Sequence, residues 1–239
     1  MNLPGHATRE VVAELERIGV IAFTSTRAGG DYGLGDGDPE PAAAARWHRL
    51  ATEIDAGVSR LASARQVHGT DVRVHGEDWS GWRREANADG HFSDAPGTAC
   101  AVTVADCVPI FVAHPGGVVA ILHSGWRGTA ANMLAKGLAR FAERDLPVAD
   151  LLVHLGPAIC GRCYRVGSDV FERLTGWPTS RERNVDLRAL IAEQATALGI
   201  RQLSVSASCV RCDNDRFFSH RAGDAARQVA VIAVPARRP

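Results

Sequence analysis

The chain has 239 residues, 46% hydrophobic and 23% charged, enough to bury a sizeable core within one compact unit spanning residues 1–239. Its 27 basic and 27 acidic side chains cancel, which leaves no overall field to attract nucleic acid or an anionic membrane, and the ArgArgPro tail is too short to supply one. The opening MetAsnLeuProGlyHis has no apolar core of signal-peptide length, and the most apolar run, Cys100 to His123, is broken by Asp106, Pro109, His114 and Pro115, so the expectation is a cytoplasmic monomer or weak homodimer with a small-molecule partner.

Residues 20–26, ValIleAlaPheThrSerThr, predict a buried strand. From Gly29 to Pro41 the density of glycine, aspartate and proline predicts a loop, with Gly33 to Asp38 as a solvated turn. It is not a P-loop, because no GlyLysSer or GlyLysThr follows. Residues 42–54 return to helical composition. Apolar, β-branched runs at 99–104, 108–113 and 118–123, separated by AspCys and HisProGlyGly, predict short buried strands joined by tight turns. Thr129 is placed to cap a helix whose Met133, Leu134, Leu138 and Phe141 recur at three-to-four-residue spacing. A strand at 151–155 ends at GlyPro, a helix from Asp186 to Leu198 stops at Gly199, and strands at 203–207 and 228–234 complete the series. The irregular alternation predicts an α/β fold, a single mixed β-sheet sandwiched by helices, and argues against a doubly wound nucleotide fold.

Three scattered residues carry the chemistry: His68 in ArgGlnValHisGlyThr, Cys107 in ValAlaAspCysValPro and His123 in IleLeuHisSerGlyTrp. Two imidazoles and a thiolate suit a tetrahedral Zn2+ whose fourth position stays open for water or substrate. Their spacings match no local zinc-finger rule, so spacing alone does not establish the site. Nine histidines without a His-x-His pair argue against a four-copper centre, although a single Cu2+ would also enter such a set, since copper outcompetes zinc at most nitrogen and sulfur sites. A second group, Cys160-x-x-Cys163 and Cys209-x-x-Cys212, has the pattern of a four-thiolate structural zinc site, with buried thiols or a disulfide as the alternatives.

The words around the trio, GlnValHisGly, ThrValAlaAspCysValPro and LeuHisSerGlyTrpArgGlyThr, closely resemble the motifs of the laccase-domain family, also called multicopper polyphenol oxidase-like proteins. The resemblance continues in order through GlyProAlaIle at 156–159, CysTyrArgValGly at 163–167 and PhePheSerHisArg at 217–221. It implies His68, Cys107 and His123 as metal ligands and a fold similar to cysteine-dependent deamidases. It also implies zinc-dependent phosphorolysis of adenosine, inosine, guanosine and methylthioadenosine, with phosphate as co-substrate and adenosine deamination beside it. An older copper oxidase label attaches to the same family. A second metal on the four outer cysteines is not implied.

Phosphorolysis needs a phosphate held against the anomeric carbon and a stabilised purine leaving group, tasks suited to a metal and arginines. Arg27 in ArgAlaGlyGly and Arg127 in GlyTrpArgGly are the candidates for the anion, Gln66 for a substrate contact, and Asp106 or Asp89 for a proton. Each has a plainer reading: Arg127 paired with a carboxylate, Asp89 shaping a turn, Asp106 fixing the Cys107 backbone. The zinc deaminase signature, His-x-Glu with Pro-Cys-x-x-Cys, is absent, so deamination would use another constellation. The short AspTyrGlyLeuGlyAspGlyAspPro also replaces a longer serine- and asparagine-containing segment common in the family. Two other readings compete, the first of them on the same residues. Cys107 as a thiolate nucleophile, with His123 or His68 as base, would hydrolyse an amide, and the resemblance implies cell-wall precursors as its setting, since some relatives are linked to removing a wrong amino acid from them. A non-catalytic metal or redox module on the outer cysteines would leave the open trio unexplained.

Overall fold

The computed structural model describes residues 8–35 and 39–236. The MetAsnLeuProGlyHis start, the ArgArgPro tail and residues 36–38 of the glycine-rich loop lie outside the described residues. In chain order the strands are β1 Arg9–Val11, β2 Ile21–Ser25, β3 Arg60–Ala64, β4 Val72–His75, β5 Gly81–Glu85, β6 Gly90–Ser93 and β7 Thr98–Val104. They continue with β8 Val108–His114, β9 Val118–Ser124, β10 Leu152–Leu155, β11 Arg165–Val166, β12 Arg183–Asn184, β13 Gln202–Val205 and β14 Gln228–Val234. The helices are α1 Ala13–Glu16, α2 Pro41–Glu53, α3 Trp126–Ala130, α4 Met133–Ala142, α5 Ser168–Thr175 and α6 Leu187–Ala197. No described helix is long and apolar enough to cross a membrane.

The expected mixed α/β fold is present, with one refinement. Twelve of the strands, all but the separate antiparallel pair β11 and β12, divide between two six-stranded sheets, ordered β1-β2-β14-β7-β3-β5 and β13-β10-β8-β9-β6-β4. Each combines antiparallel pairs, such as β14 with β7 and β8 with β9, with parallel pairs, such as β3 with β7 and β4 with β6. Alternating side chains explain the stacking. Cys100, Val102 and Val104 of β7 and Ala230 and Ile232 of β14 meet Phe111, Ala113, Val119 and Ile121 of β8 and β9 in a core between the sheets. The opposite faces are also buried: Ala99, Ala101, Val229 and Val231 pack on Trp47 and Leu50 of α2 and on Ile54 just after it. Ile110, Val112, Ala120 and Leu122 pack on Met133, Leu138 and Phe141 of α4 and on Ile191 of α6. A strand buried on both faces reads as a continuous apolar run, and nothing in that run tells whether its second face meets a helix or another sheet.

Predicted elements at 20–26, 42–54, 99–104, 108–113, 118–123, 151–155, 186–198 and 228–234 coincide within a residue or two with β2, α2, β7, β8, β9, β10, α6 and β14. Asp186 caps α6 by accepting from the Arg188 and Ala189 amides. Thr129, expected as the cap of α4, instead lies inside the short α3, where its hydroxyl meets Ser124 at 3.0 Å. Asn132, in the left-handed region at φ 55°, caps α4 by accepting from the Ala135 amide. Strands β3 to β6 are too short and too mixed in composition to show a clear period and went unpredicted, as did helix α5, whose Val170, Phe171 and Leu174 pack on the core.

Pairing of β8 with β9 sets Pro109 opposite His123 and Val108 opposite Ser124, which brings Cys107 beside Gly125. The β6–β9 pair sets Gly90 opposite Leu122, so Asp89 arrives at His123. The same edge carries a buried histidine pair, with His75 Nε2 2.9 Å from His91 Nδ1. Burial lowers both, His75 to about 4 with help from Arg83, and His91 to about 3. Unfolded imidazoles titrate near 6.5, so between that pH and about 4 the unfolded chain holds protons that the native protein lacks. Stability is therefore complete above the unfolded value and falls as pH drops through this window. Urea melts are expected to lose about 2 kcal/mol or more between roughly pH 7.5 and 5, and a His75→Leu/His91→Phe variant to lose most of that slope. A midpoint indifferent to pH in the unsubstituted protein would contradict a neutral pair.

Candidate metal centre and cavity

Asp89 organises the site. It is fully buried just before β6, and its carboxylate accepts the backbone N–H groups of Val67 (3.1 Å), His68 (2.9 Å) and Gly69 (2.7 Å). The loop after β3 thus wraps an anion, as successive amides do in a nest, with His68 in the left-handed region at φ 57°. The same carboxylate accepts Nδ1–H of His123 at 2.8 Å, which fixes the tautomer and leaves Nε2 for the opposite side. Burial works against this charge, but the hydrogen bond from His123 and the Gly69 and Val67 amides outweigh it and hold the carboxyl below its usual range.

Cys107 is set by a second carboxylate. Asp106, at φ 84°, turns the chain from β7 into β8, and its side chain accepts the Ser219 hydroxyl and the Arg221 amide, both at 2.7 Å. Its carbonyl accepts from Ile159 at 3.1 Å. One ligand atom from each of His68, Cys107 and His123 lies within 4.8 Å of the others, and Cys107 Sγ is 4.0 Å from His68 Nε2. A tetrahedral zinc with Zn–S near 2.3 Å and Zn–N near 2.0–2.1 Å spans about 3.6 Å between sulfur and nitrogen, so the donor set fits the ion. Gly125 preserves the space, since a Cβ there would stand 2.9 Å from Cys107 Sγ and 3.2 Å from His68 Cδ2. Burial opposes ionisation of Cys107, but the charge and hydrogen bond of His123, with His68 behind them, bring the thiol down to about 6. Burial likewise opposes charge on His123, and the Cys107 thiolate with the Asp89 carboxylate raises it to about 9.

His68 is exposed and Cys107 half-buried, so the trio opens on one side into a cavity of about 590 Å3. Five guanidinium-bearing residues line it, Arg65, Arg84, Arg127, Arg221 and Arg227, and among the described residues Asp106 is the one carboxylate doing so. Arg127 stacks on the Trp126 ring at 4.4 Å and has no ion-pair partner among the described residues, contrary to its plainer reading. Arg221 stacks on Tyr164 at 4.8 Å. Gln66 lines the cavity too, although its amide is engaged by the Thr103 backbone, donating at 2.8 Å and accepting at 2.7 Å. Arg27 is placed elsewhere: it donates to Asn214 O, Phe217 O and Asp224, and it stacks on Phe218, so it braces the 214–224 segment. Residues 33–35 are more than a solvated turn, because they line the cavity and Gly35 O accepts from Arg84 at 2.6 Å.

Sequence reasoning missed the anchoring role of Asp89 and the wall residues Arg65, Arg84, Arg221, Arg227, Trp126 and Tyr164. Tyr164 and Arg221 lie inside CysTyrArgValGly and PhePheSerHisArg, and that membership was the available signal. Asp89→Asn removes the charge that orients His123 and strips an acceptor from the His68 loop. Zinc affinity, measured by competition with a chromophoric chelator, is expected to fall about 10- to 100-fold while Cys107 stays reactive to thiol reagents. Unchanged affinity would show that the carboxylate does not position the ligands.

The chain matches the family described as Multi-copper polyphenol oxidoreductase laccase over residues 16–235. It is 33% identical over 167 residues to purine nucleoside phosphorylase YfiH of Escherichia coli (strain K12), an alignment spanning 65% of this chain and 66%, just under two thirds, of that protein. It is 32% identical over 246 residues to purine nucleoside phosphorylase YlmD of Geobacillus stearothermophilus, covering 90% of each. The crystal structure of YlmD from Geobacillus stearothermophilus superposes with a TM-score of 0.79 at 28% identity over 91% of this chain and 93% of that one. That of the Bacillus licheniformis hypothetical protein YfiH superposes with a TM-score of 0.85 at 24% identity over 98% of each, a likeness of fold. The chain therefore belongs to the multi-copper polyphenol oxidoreductase laccase family, and several of its relatives carry the name purine nucleoside phosphorylase.

Proposed function

We propose that the protein is a zinc-dependent purine nucleoside phosphorylase acting on adenosine, inosine, guanosine and methylthioadenosine, with adenosine deamination as a side activity. The observation that carries this reading is the open His68, Cys107, His123 set at the base of a cavity whose wall is rich in arginine. A chain of zero net charge that concentrates guanidinium groups in one cavity selects a small anion, and inorganic phosphate is the co-substrate of phosphorolysis. The reaction joins a phosphate oxygen to the anomeric carbon as the glycosidic C–N bond breaks. The bond pair leaves with the purine, which takes up a proton, and the products are the free base and a sugar 1-phosphate.

When bound, zinc supplies Lewis acidity and one open coordination position. Cu2+ fits the same donors, so copper in purified protein carries little functional weight. Arg127 and Arg221 hold the phosphate by charge-assisted hydrogen bonds, and the Trp126 and Tyr164 rings with Ile159 and Leu187 hold the purine and exclude water. A volume of about 590 Å3 suits a nucleoside with its anion. Gln66 keeps the ends of β3 and β7 together beneath the substrate. Asp106 and Arg27 act as positioning residues, the first on Cys107 and Arg221, the second on the segment leading to Arg221. Adenosine deamination is a different reaction in the same cavity: water adds to the purine carbon that bears the amine, the bond to that amine breaks, and ammonia leaves to give inosine.

A second reading draws on the row Cys107, His123, Asp89, in which a low-pKa thiol faces an imidazole oriented by a buried carboxylate. That is the arrangement of a cysteine nucleophile with its base, suited to amide hydrolysis in cell-wall precursors. Adenosine and phosphate with the zinc-loaded protein are expected to yield adenine and ribose 1-phosphate, activity lost to EDTA and restored by zinc. Cys107→Ala is expected to lower that rate at least about a hundredfold and to lose the metal. Arg127→Ala should raise KM for phosphate about tenfold or more with zinc content unchanged. Nucleoside cleavage that survives EDTA or Cys107→Ala overturns the zinc reading, and amidase activity abolished by alkylation of EDTA-treated protein establishes the thiolate one.

A further inference from the structure

Outside the cavity floor, a second set of soft ligands converges. Cys160 and Cys163 lie in the turn after β10, and Cys209 and Cys212 follow β13. A parallel bridge joins Ala158 to Cys209, and the Val210 amide donates to Ala158 O at 3.2 Å, so the two segments run side by side. Each Cys-x-x-Cys then folds into a tight turn: the Cys163 and Tyr164 amides donate to Cys160 O at 2.9 and 3.0 Å, and the Asp213 amide to Cys209 O at 2.9 Å. All four sulfurs fall within 4.8 Å of one another, Cys163 and Cys212 at 3.5 Å, and none is in a disulfide. The Cys160 amide donates to Cys209 Sγ at 3.2 Å, a contact suited to a thiolate.

We infer that Cys160, Cys163, Cys209 and Cys212 form a closed tetrathiolate zinc site, separate from the open His68, Cys107, His123 set, that pins the wall of the cavity. Four sulfurs around a zinc at about 2.3 Å stand about 3.8 Å apart, close to the spacing of this cluster and far from the roughly 2.05 Å of a disulfide. Packing does not explain the convergence. Cys212 is exposed and Cys160 and Cys163 are half-buried, whereas Cys100, outside the cluster, is fully buried as a core thiol should be. On loading, the thiol protons pass to solvent as four Zn–S bonds form. Arg211, inside the second turn, brings a positive charge to the doubly negative centre and donates to Cys163 O at 3.1 Å. Asn184 holds the first turn from below by donating to Gly161 O and Arg162 O.

The consequence reaches the cavity through neighbours in sequence. Ile159 and Tyr164 flank the first turn and line the cavity, and Arg221 donates to Arg165 O while stacking on Tyr164. The protein, purified with zinc under reducing conditions, desalted and measured by elemental analysis, is expected to hold two zinc ions per chain. One should remain in Cys163→Ser/Cys212→Ser and one in His68→Ala/His123→Ala. In the latter variant, loading with cobalt should give the intense charge-transfer band of a tetrathiolate. Cys163→Ser/Cys212→Ser is also expected to lower Tm by about 5 °C or more. If that variant does not fold, the unsubstituted protein and His68→Ala/His123→Ala decide the matter alone. Zinc absent from His68→Ala/His123→Ala, or an intact mass lower by the hydrogens of a disulfide among these cysteines, overturns the inference. Loss of nucleoside cleavage with both zinc ions retained would instead count against the proposed reaction.

Discussion

The Asp89 carboxylate is the contact on which the centre depends. A buried negative charge is costly unless fully partnered, and this one gathers the His123 ring and three consecutive amides of the His68 loop around itself. Those partners come from both sheets, because the His68 loop leaves β3 of one sheet and His123 lies next to the last residue of β9 in the other. One side chain thus seals the end of the seam between the sheets and places the two imidazoles of His68 and His123. Asp106 repeats the device, joining the β7–β8 crossover that carries Cys107 to the segment preceding β14. Each carboxylate has both oxygens engaged by hydrogen bonds that position the chain around the cavity.

The sequence exposed the donors more readily than their supports. His68, Cys107 and His123 stand out because thiol and imidazole at strand ends are few, and β7, β8 and β9 announce themselves by apolar, β-branched runs. Asp89 did not, because AlaAspGly is also what a turn looks like, and its partner His123 lies 34 residues on. Arg27 looked like an anion binder in a glycine-rich stretch, and the carboxylate that claims it, Asp224, is 197 residues away. The division into two sheets was hidden for a related reason: alternate residues of β7, β8, β9 and β14 all face apolar neighbours, so the period of two that marks a half-exposed strand vanishes. Strand β5, GlyTrpArgArgGlu, was hidden by its polarity as an edge.

Net charge described the surface and missed the cavity. Equal numbers of acids and bases predict no long-range attraction, and none is needed for a substrate of a few hundred daltons. Inside a concave, partly desolvated wall the same guanidinium groups act at short range, where screening by salt is weak. Stacking on Trp126 and Tyr164 holds Arg127 and Arg221 in place without neutralising them, since an aromatic face partners a cation while leaving its donors free for an anion.

The two sulfur-containing clusters differ in the way that separates reactive from structural metal sites. One offers three protein donors, borders a cavity, and keeps its remaining direction clear with Gly125, where even a methyl group would press on Cys107. The other offers four thiolates from two turns, which completes a tetrahedron and leaves no position for substrate. A closed site cannot take part in the reaction, but it can fix backbone that does. Ile159, whose amide holds Asp106 O, and Tyr164, on which Arg221 rests, both border the first thiolate turn. Rigidity set by the closed site therefore passes to Cys107 through Asp106 and to the arginine-rich wall through Arg221, and the open site can stay open because the chain around it is held elsewhere.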